Sequence, residues 1–169
     1  QPKTTSAGTA LWKAAWASAP DDLYAVGYPN STFPIQRWNG TGWSTSAPGT
    51  SAYMNGVWGS GKNNVFVVGN GAVVARTTNS ATTWTRITIP GATEDLNDVT
   101  GTGTTDLWVV GRSRAIFHSV DNGATWTRIN SPVFGDLVSV WTSGPDDVWI
   151  TNDQGTLLHT TDGGATFQI

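Results

Sequence analysis

Residues 54–60 read M-N-G-V-W-G-S, and residues 137–143 read L-V-S-V-W-T-S. Each stretch is too short for a helix and dense in β-branched and aromatic residues, so each reads as a strand. A polar turn follows, Lys62-Asn63-Asn64 in one case and Pro145-Asp146-Asp147 in the other. Then comes a second apolar run, V-F-V-V-G from Val65 and, in another copy of the pattern, L-W-V-V-G from Leu107. The glycine that closes it recurs as Gly27, Gly69 and Gly111.

Working outward, the pattern extends along the whole chain. Trp43, Trp84, Trp126 and Phe167 are 41, 42 and 41 residues apart, and Trp16, Trp58, Thr100 and Trp141 are 42, 42 and 41 apart. Tyr24, Phe66, Trp108 and Trp149 keep the same steps, as do Trp12, Met54, Leu96 and Leu137. A third segment reads V-V-A-R-T-T, I-F-H-S-V or L-L-H-T-T, and a fourth begins T-W-T-R-I. Four short strands in a unit of about 40–45 residues mark a propeller blade. One such blade has two apolar faces and can bury neither alone, whereas blades stacked around an axis bury both. The expected fold is therefore all-β: a β-propeller of four four-stranded blades per chain. It forms a single repeat domain over residues 1–169, with blades at about 11–49, 52–91, 95–132 and 136–169.

Composition narrows the function classes. Hydrophobic residues make up 38% of the chain, charged residues 12%, and there are 20 Gly, 10 Trp and no Cys. A chain this rich in aromatic and β-branched residues forms a core and is not disordered. No apolar run approaches the ~18–20 residues of a membrane helix. Without Cys there is no disulfide framework, thiolate metal site or thiol nucleophile. A net charge of −3 provides no basic field for nucleic acid. The expected partners are the chain itself and a glycan or protein ligand, with neither nucleic acid nor membrane. An extracellular or cell-surface setting is the expectation for location.

The turn between the third and fourth segments carries the most specific signal. Residues 119–126 read S-V-D-N-G-A-T-W, which matches the Asp-box pattern S-x-D-x-G-x-T-W of bacterial neuraminidase-type repeats. Residues 160–167 read T-T-D-G-G-A-T-F, and residues 77–84 read T-T-N-S-A-T-T-W, with Asn79 for Asp and Ala81 for Gly. The first unit has only R-W-N-G-T-G-W over residues 37–43. Over essentially its whole length the chain resembles an Asp-box β-propeller. It is also similar to the V-W-G-S…D-V-W-V-V-G arrays of large bacterial propeller proteins. In such a box the Asp accepts backbone N–H groups, the Gly supplies positive φ, and the Trp packs between blades. Ser119, Asp121, Gly123, Trp126, Asp162, Gly164 and Phe167 are accordingly expected to be structural. By the family's example, the box lies away from any catalytic face.

The resemblance brings sialidases into view, whose sites use three Arg, a Tyr–Glu pair and an acid Asp. Here Glu94 is the only Glu, and Tyr24 sits in an aromatic core row. Glycoside hydrolysis needs two positioned carboxyl groups, and most Asp occupy repeated turn positions. No catalytic residue is assigned, and a non-enzymatic role is expected. His118 and His159 are equivalents, with Arg37 and Arg76 at that place in the other units. Such a row reads as structure and not as a zinc ligand set. Asp21-Asp22 and Asp146-Asp147 follow Pro in a repeated turn and read as turn caps. No metal and no cofactor is expected, since no Walker-type or dinucleotide motif occurs.

In a propeller, the first-to-second and third-to-fourth turns share one face, and here these are repetitive. The other face carries the second-to-third connections Y-P-N-S-T-F-P, N-G-A, R-S-R and N-D-Q-G, together with the loops between units. Divergent loops on a rigid scaffold suit recognition. The candidate contacts are Tyr28, Asn30, Asn70, Arg112, Arg114, Asn152, Asp153 and Gln154. The leading function is a binding or scaffold module that self-assembles into a larger closed ring. The alternative is a lectin-like propeller or a fragment of a glycan-processing enzyme, for which Trp38 is the main Trp outside the core rows. Asn30-Ser31-Thr32 and Asn39-Gly40-Thr41 fit glycosylation acceptors. Gln1-Pro2-Lys3 aligns with Trp43-Ser44-Thr45 without its apolar pattern and makes a poor closing strand. Three outcomes follow: a tightly curved four-bladed ring, two chains completing eight blades with two-fold symmetry, or a fragment of a longer array.

Overall fold

The structure, a computed structural model, describes residues 11–28 and 34–169. Blade 1 contains β1 (Leu11–Ala19), β2 (Asp22–Tyr28), β3 (Ile35–Trp38) and β4 (Trp43–Ser46). Blade 2 contains β5 (Met54–Gly61), β6 (Asn64–Gly69), β7 (Val73–Thr77) and β8 (Thr85–Ile87). Blade 3 contains β9 (Leu96–Thr102), β10 (Asp106–Gly111), β11 (Ala115–Ser119) and β12 (Thr127–Asn130). Blade 4 contains β13 (Leu137–Thr142), β14 (Val148–Asn152) and β15 (Leu157–Thr160). All pairings are antiparallel between sequence neighbours, as in a propeller. In blade 4 the fourth strand is reduced to one bridge, where His159 and Gln168 exchange N–H···O bonds of 3.0 and 2.8 Å.

The sequence rows become rows in space. Trp58 pairs with Phe66, Phe66 with Arg76, and Arg76 with Thr85, so the four share one sheet face. The first strands line the axis: β1 packs on β5, β5 on β9 and β9 on β13. Among the described residues no comparable packing joins β13 to β1, so the four blades form an open arc.

The core consists of three junctions between successive blades. Tyr24, Val26 and Ile35 of blade 1 meet Val57, Val65 and Val67 of blade 2. Phe66, Val68 and Val74 meet Val99, Val109 and Phe117. Trp108, Val110 and Ile116 meet Val140, Val148, Ile150 and Leu158. Each fully buried side chain of this size contributes about 1.5–3 kcal/mol. Trp84, Trp126 and Phe167 pack against the junction that precedes their own blade. The recurrent glycine has a steric cause: a Cβ on Gly27, Gly69 or Gly111 would stand 2.2, 2.0 or 2.4 Å from the carbonyl oxygen of Leu11, Tyr53 or Asp95.

Candidate functional site

The two ends of the blades use their polar groups differently. At the repetitive end, Asp121 accepts from Thr125 Oγ1 at 2.6 Å, from Thr125 N–H at 2.8 Å and from Ser119 Oγ at 2.9 Å. Asp162 repeats this with Thr166 Oγ1 at 2.6 Å, Thr166 N–H at 2.9 Å and Thr160 Oγ1 at 2.7 Å. The Thr166 hydroxyl and N–H are the main cause that pulls the Asp162 carboxyl down to about 2, and Asp121 is lowered by the same bonds from Thr125. Asn79 makes the equivalent contacts in blade 2, to Thr83 N–H at 2.9 Å and Thr77 Oγ1 at 3.1 Å. The left-handed pair is kept there without glycine, at Ser80 (φ 57°) and Ala81 (φ 63°).

The same end holds a hydroxyl–carboxylate–imidazole row. Asp106 accepts from Thr102 Oγ1 at 2.9 Å and lies 2.7 Å from His118 Nε2, while the His118 ring stacks on Trp108 at 4.0 Å. Asp147 bonds Ser143 Oγ and lies 2.6 Å from His159 Nε2, and His159 stacks on Trp149 at 3.7 Å. Asp22 with Arg37 over Tyr24, and Asn64 with Arg76 over Phe66, fill the same place in blades 1 and 2. A nucleophilic triad needs the hydroxyl to face the base. Here hydroxyl and imidazole both bind the carboxylate, and Arg replaces His in two blades. Asp22 and Asp147 do bridge their turns, accepting from Ser18 Oγ and Ser143 Oγ, but they reach further than the turn-cap expectation: each carboxylate also meets the third strand, at Arg37 or His159, whose side chain lies over an aromatic ring. Among the described residues no three His, Cys, Asp or Glu side chains converge as a metal would require.

The divergent end carries a cavity of about 370 Å³ whose lining comes from all four blades. Lys13 and Tyr28 come from blade 1, Asn55 from blade 2, Asn97 and Arg112 from blade 3, and Asp136, Val138 and Asp153 from blade 4 and its entry loop. The Lys13 ammonium lies 4.8 Å over the Tyr28 ring, and Tyr28 packs on Tyr53 at 4.5 Å. Asn55 Nδ2 donates to Asn70 Oδ1 and to the Leu96 carbonyl of the next blade, both at 2.8 Å, and Tyr28 Oη donates to Asn55 Oδ1 at 3.3 Å. Asn97 Nδ2 repeats the reach to the next blade, donating to the Leu137 carbonyl at 2.7 Å. The exposed Arg112 guanidinium lies between Asp95 at 3.5 Å and Asp136 at 3.7 Å. Asp95 and Asp136 in turn accept from Gly71 N–H at 2.8 Å and Ser113 N–H at 2.9 Å, which ties each hairpin tip to the next blade.

Of the candidate contacts, Tyr28, Arg112 and Asp153 line this one cavity, and Asn70 touches it through Asn55. Arg114 lies to one side, its guanidinium 5.0 Å over the ring of Phe134, which is 73% exposed. Asn152 is buried and uses its side chain internally, accepting from Thr156 N–H at 2.7 Å and donating to the Phe134 carbonyl at 3.0 Å. Gln154 lies against Gly135. Asn30 lies outside the described residues, as do the acceptor Asn30-Ser31-Thr32 and Gln1-Pro2-Lys3. Trp38 is half-buried against Trp43, 5.7 Å away, on blade 1. The lining residues that sequence reasoning missed are Asp136, in the loop that enters blade 4, and Lys13, Asn55, Asn97 and Val138. The last four form one row, each just after Trp12, Met54, Leu96 or Leu137, and that shared offset was the available signal.

The sequence model of the family Photosynthesis system II assembly factor YCF48 matches residues 35–169, which agrees with the Asp-box resemblance. A structure of YCF48 bound to D1 peptide is similar at 21% identity and a TM-score of 0.65, over 71% of this chain and 41% of that one. YCF48 from Cyanidioschyzon merolae is similar at 16% identity and a TM-score of 0.70, over 88% of this chain and 50% of that one. A catalytically inactive virginiamycin B lyase from Staphylococcus aureus, with quinupristin, is similar at 16% identity and a TM-score of 0.79, over 97% and 56% of the two chains. At these identities the likeness shows the fold. The chain spans half or less of the two YCF48 structures. Among curated proteins none matches the chain.

Proposed function

The chain belongs to the Photosynthesis system II assembly factor YCF48 family, and on that premise we propose that it is a non-catalytic propeller module that holds a segment of a partner protein across its divergent face. The observation that carries this reading is the cavity to which all four blades contribute. An extended polypeptide offers N–H donors and carbonyl acceptors in alternation. The cavity brings amides, an ammonium, a guanidinium and two carboxylates together beside the Tyr28 ring. A nucleic acid calls for continuous positive charge, which Asp136 and Asp153 interrupt. YCF48 bound to D1 peptide makes a peptide the natural ligand class to test on this chain. The internal engagement of Asp106, Asp147, Asp121 and Asp162, and the Arg128–Glu94 pair at 2.6 Å, support binding over acid–base chemistry.

The test is a titration with synthetic peptides, the D1 peptide among them, followed by amide NMR shifts. Shifts should gather at Lys13, Tyr28, Asn55, Asn97 and Arg112, and Arg112→Ala should weaken binding by about tenfold, the effect of losing ~1.4 kcal/mol at one interface side chain. Absence of shifts with every peptide, or shifts confined to the Asp-box end, would set the reading aside. A glycan ligand is the second reading. It is favoured by the half-exposed Tyr53 ring packed on Tyr28 beside the Asn55 and Asn70 amides, and the same titration with oligosaccharides distinguishes it. We take the arc to be part of a larger ring, completed at its two open blade faces.

A further inference from the structure

Blade 2 differs from the other three by one charge. In blade 1 the Asp22 carboxylate accepts from Arg37 Nε at 2.7 Å, and in blades 3 and 4 Asp106 and Asp147 lie 2.7 and 2.6 Å from His118 and His159. Blade 2 has Asn64 at that place, and its Oδ1 accepts from Arg76 Nε at 2.7 Å. The amide copies the shape of the carboxylate and leaves out its charge. Arg76 is half-buried, with its guanidinium 5.5 Å over the Phe66 ring. It forms no ion pair among the described residues. A guanidinium does not give up its proton, and a charge drawn out of water calls for a counter-charge.

The unused donors of Arg76 stand at a cavity. Asn64 takes Nε–H, and the Asn122 side-chain carbonyl accepts from Nη2 at 2.7 Å while its amide donates to the Thr104 carbonyl at 3.0 Å. Both acceptors are neutral. The other guanidinium N–H groups have no acceptor among the described residues. Arg76 lines a cavity of about 320 Å³ at the seam of blades 2 and 3, with Thr78, Thr85 and Ile87 from blade 2 and Asp121 and Asn122 from the blade 3 box. Blades 2 and 3 each have a neighbour on both sides within the chain, so the seam is complete as it stands. Asp121 is not the absent counter-charge: its oxygens accept from Ser119 Oγ, Thr125 N–H and Thr125 Oγ1, and it makes no ion pair with Arg76.

We propose that Arg76 receives the carboxylate of a ligand that enters this cavity, with the ligand's apolar stem along Ile87. The planar guanidinium fork matches the two oxygens of a carboxylate, and the Thr78 and Thr85 hydroxyls can donate to the same group. One negative charge suits the cavity better than two, because Asp121 repels a phosphate dianion whose second charge Arg76 does not offset. The ligand class is a carboxylate on a short apolar stem, either a free acid or a Glu side chain presented by a peptide. The site lies at the Asp-box end, opposite the four-blade cavity, and is independent of the reading proposed for that cavity.

The test is a titration of the whole chain at constant ionic strength, followed by backbone amide and Arg76 Nε–H NMR shifts. One arm uses butyrate, and the other uses N-acetylglutamate α-amide, which carries only the side-chain carboxylate. Saturable shifts at Arg76 Nε–H and at the amides of Asn122 and Gly123 with either compound support the site, and the tighter binder names the source. Asn64→Asp supplies the carboxylate that the other blades have, and it should weaken binding by about tenfold or more, as the loss of a charge-assisted hydrogen bond does. Arg76→Gln should do the same, and circular dichroism checks that both variants are folded. Binding retained in either folded variant, tighter binding of phosphate than of butyrate, or shifts that fail to saturate with both compounds would each overturn the assignment.

Discussion

Trp58 and Trp141 occupy one position of the repeat, in the first strands of blades 2 and 4. Trp58 lies over Gly101 and joins the cluster between blades 2 and 3, whereas Trp141 is 59% exposed. The strand, the neighbours along it and the cross-strand aromatic partner are alike, Phe66 in one case and Trp149 in the other. What differs is the blade that follows. The comparison teaches that in this architecture the energy of a side chain is set at the junction and not by the blade that carries it.

Truncating the two residues should have very different effects. Trp58→Ala should cost about 2–4 kcal/mol, below the full range for a buried Trp because the ring is only partly covered. Trp141→Ala, at an exposed position, should stay within about 0.5 kcal/mol. Denaturant unfolding of the two variants decides the matter, and equal losses would mean that blade 4 is covered within a single chain.

A smaller effect sharpens the comparison at the boxes. Gly123 has φ 81°, and a Cβ there would lie 3.1 Å from Phe66 Cε1 and 3.4 Å from Ile87 Cδ1 of the preceding blade. Gly123→Ala should destabilise by about 1–2 kcal/mol, the ordinary cost of a left-handed side chain. Blade 2 already carries Ala81 at the equivalent place, so thermal melts should find blade 2 insensitive to the residue that blade 3 requires. Equal tolerance at Gly123 would mean that the junction yields more readily than the contact distances imply.

The smallest effect is one of pH. The Asp162 carboxyl is held down to about 2, chiefly by Thr166. Its contribution is therefore complete above the ordinary carboxyl range near pH ~4 and is lost as pH falls through about 2. Asp162→Asn keeps the acceptor oxygen, as Asn79 does in blade 2, so the turn should persist while the fall in melting temperature between pH 4 and 2 becomes shallower. An unchanged slope would show that the ionised form contributes nothing there.

The all-β blade pattern and the Asp-box resemblance were legible because each depends on contacts inside one repeat or at one fixed offset. Tyr24, Phe66 and Trp108 fell in core rows for that reason. The cavity was less legible. Arg112 and Asp153, in loops, and Tyr28, at the end of β2, stand out on the divergent face, but Lys13, Asn55, Asn97 and Val138 sit inside regular strands and meet only because the arc curves. Curvature is a property of stacked blades, and no window of one repeat contains it. Asn152 misled for the opposite reason: as a polar residue in a divergent loop it suggested a contact, yet the loop needs it to bind the Thr156 N–H. The reach of Asp22 and Asp147 to Arg37 and His159 was hidden by sequence separations of 15 and 12 residues.

Among the described residues, each blade packs chiefly on the one before and the one after it. Such a chain has no centre, and its cooperativity is that of a row of coupled units in which unfolding can start wherever a unit has one neighbour instead of two. Within this arc of four, blades 1 and 4 are those units. A ring gives every blade two neighbours, so closure would do more than hide apolar surface: it would remove the places from which melting begins, and turn a sequence of partial openings into a single event.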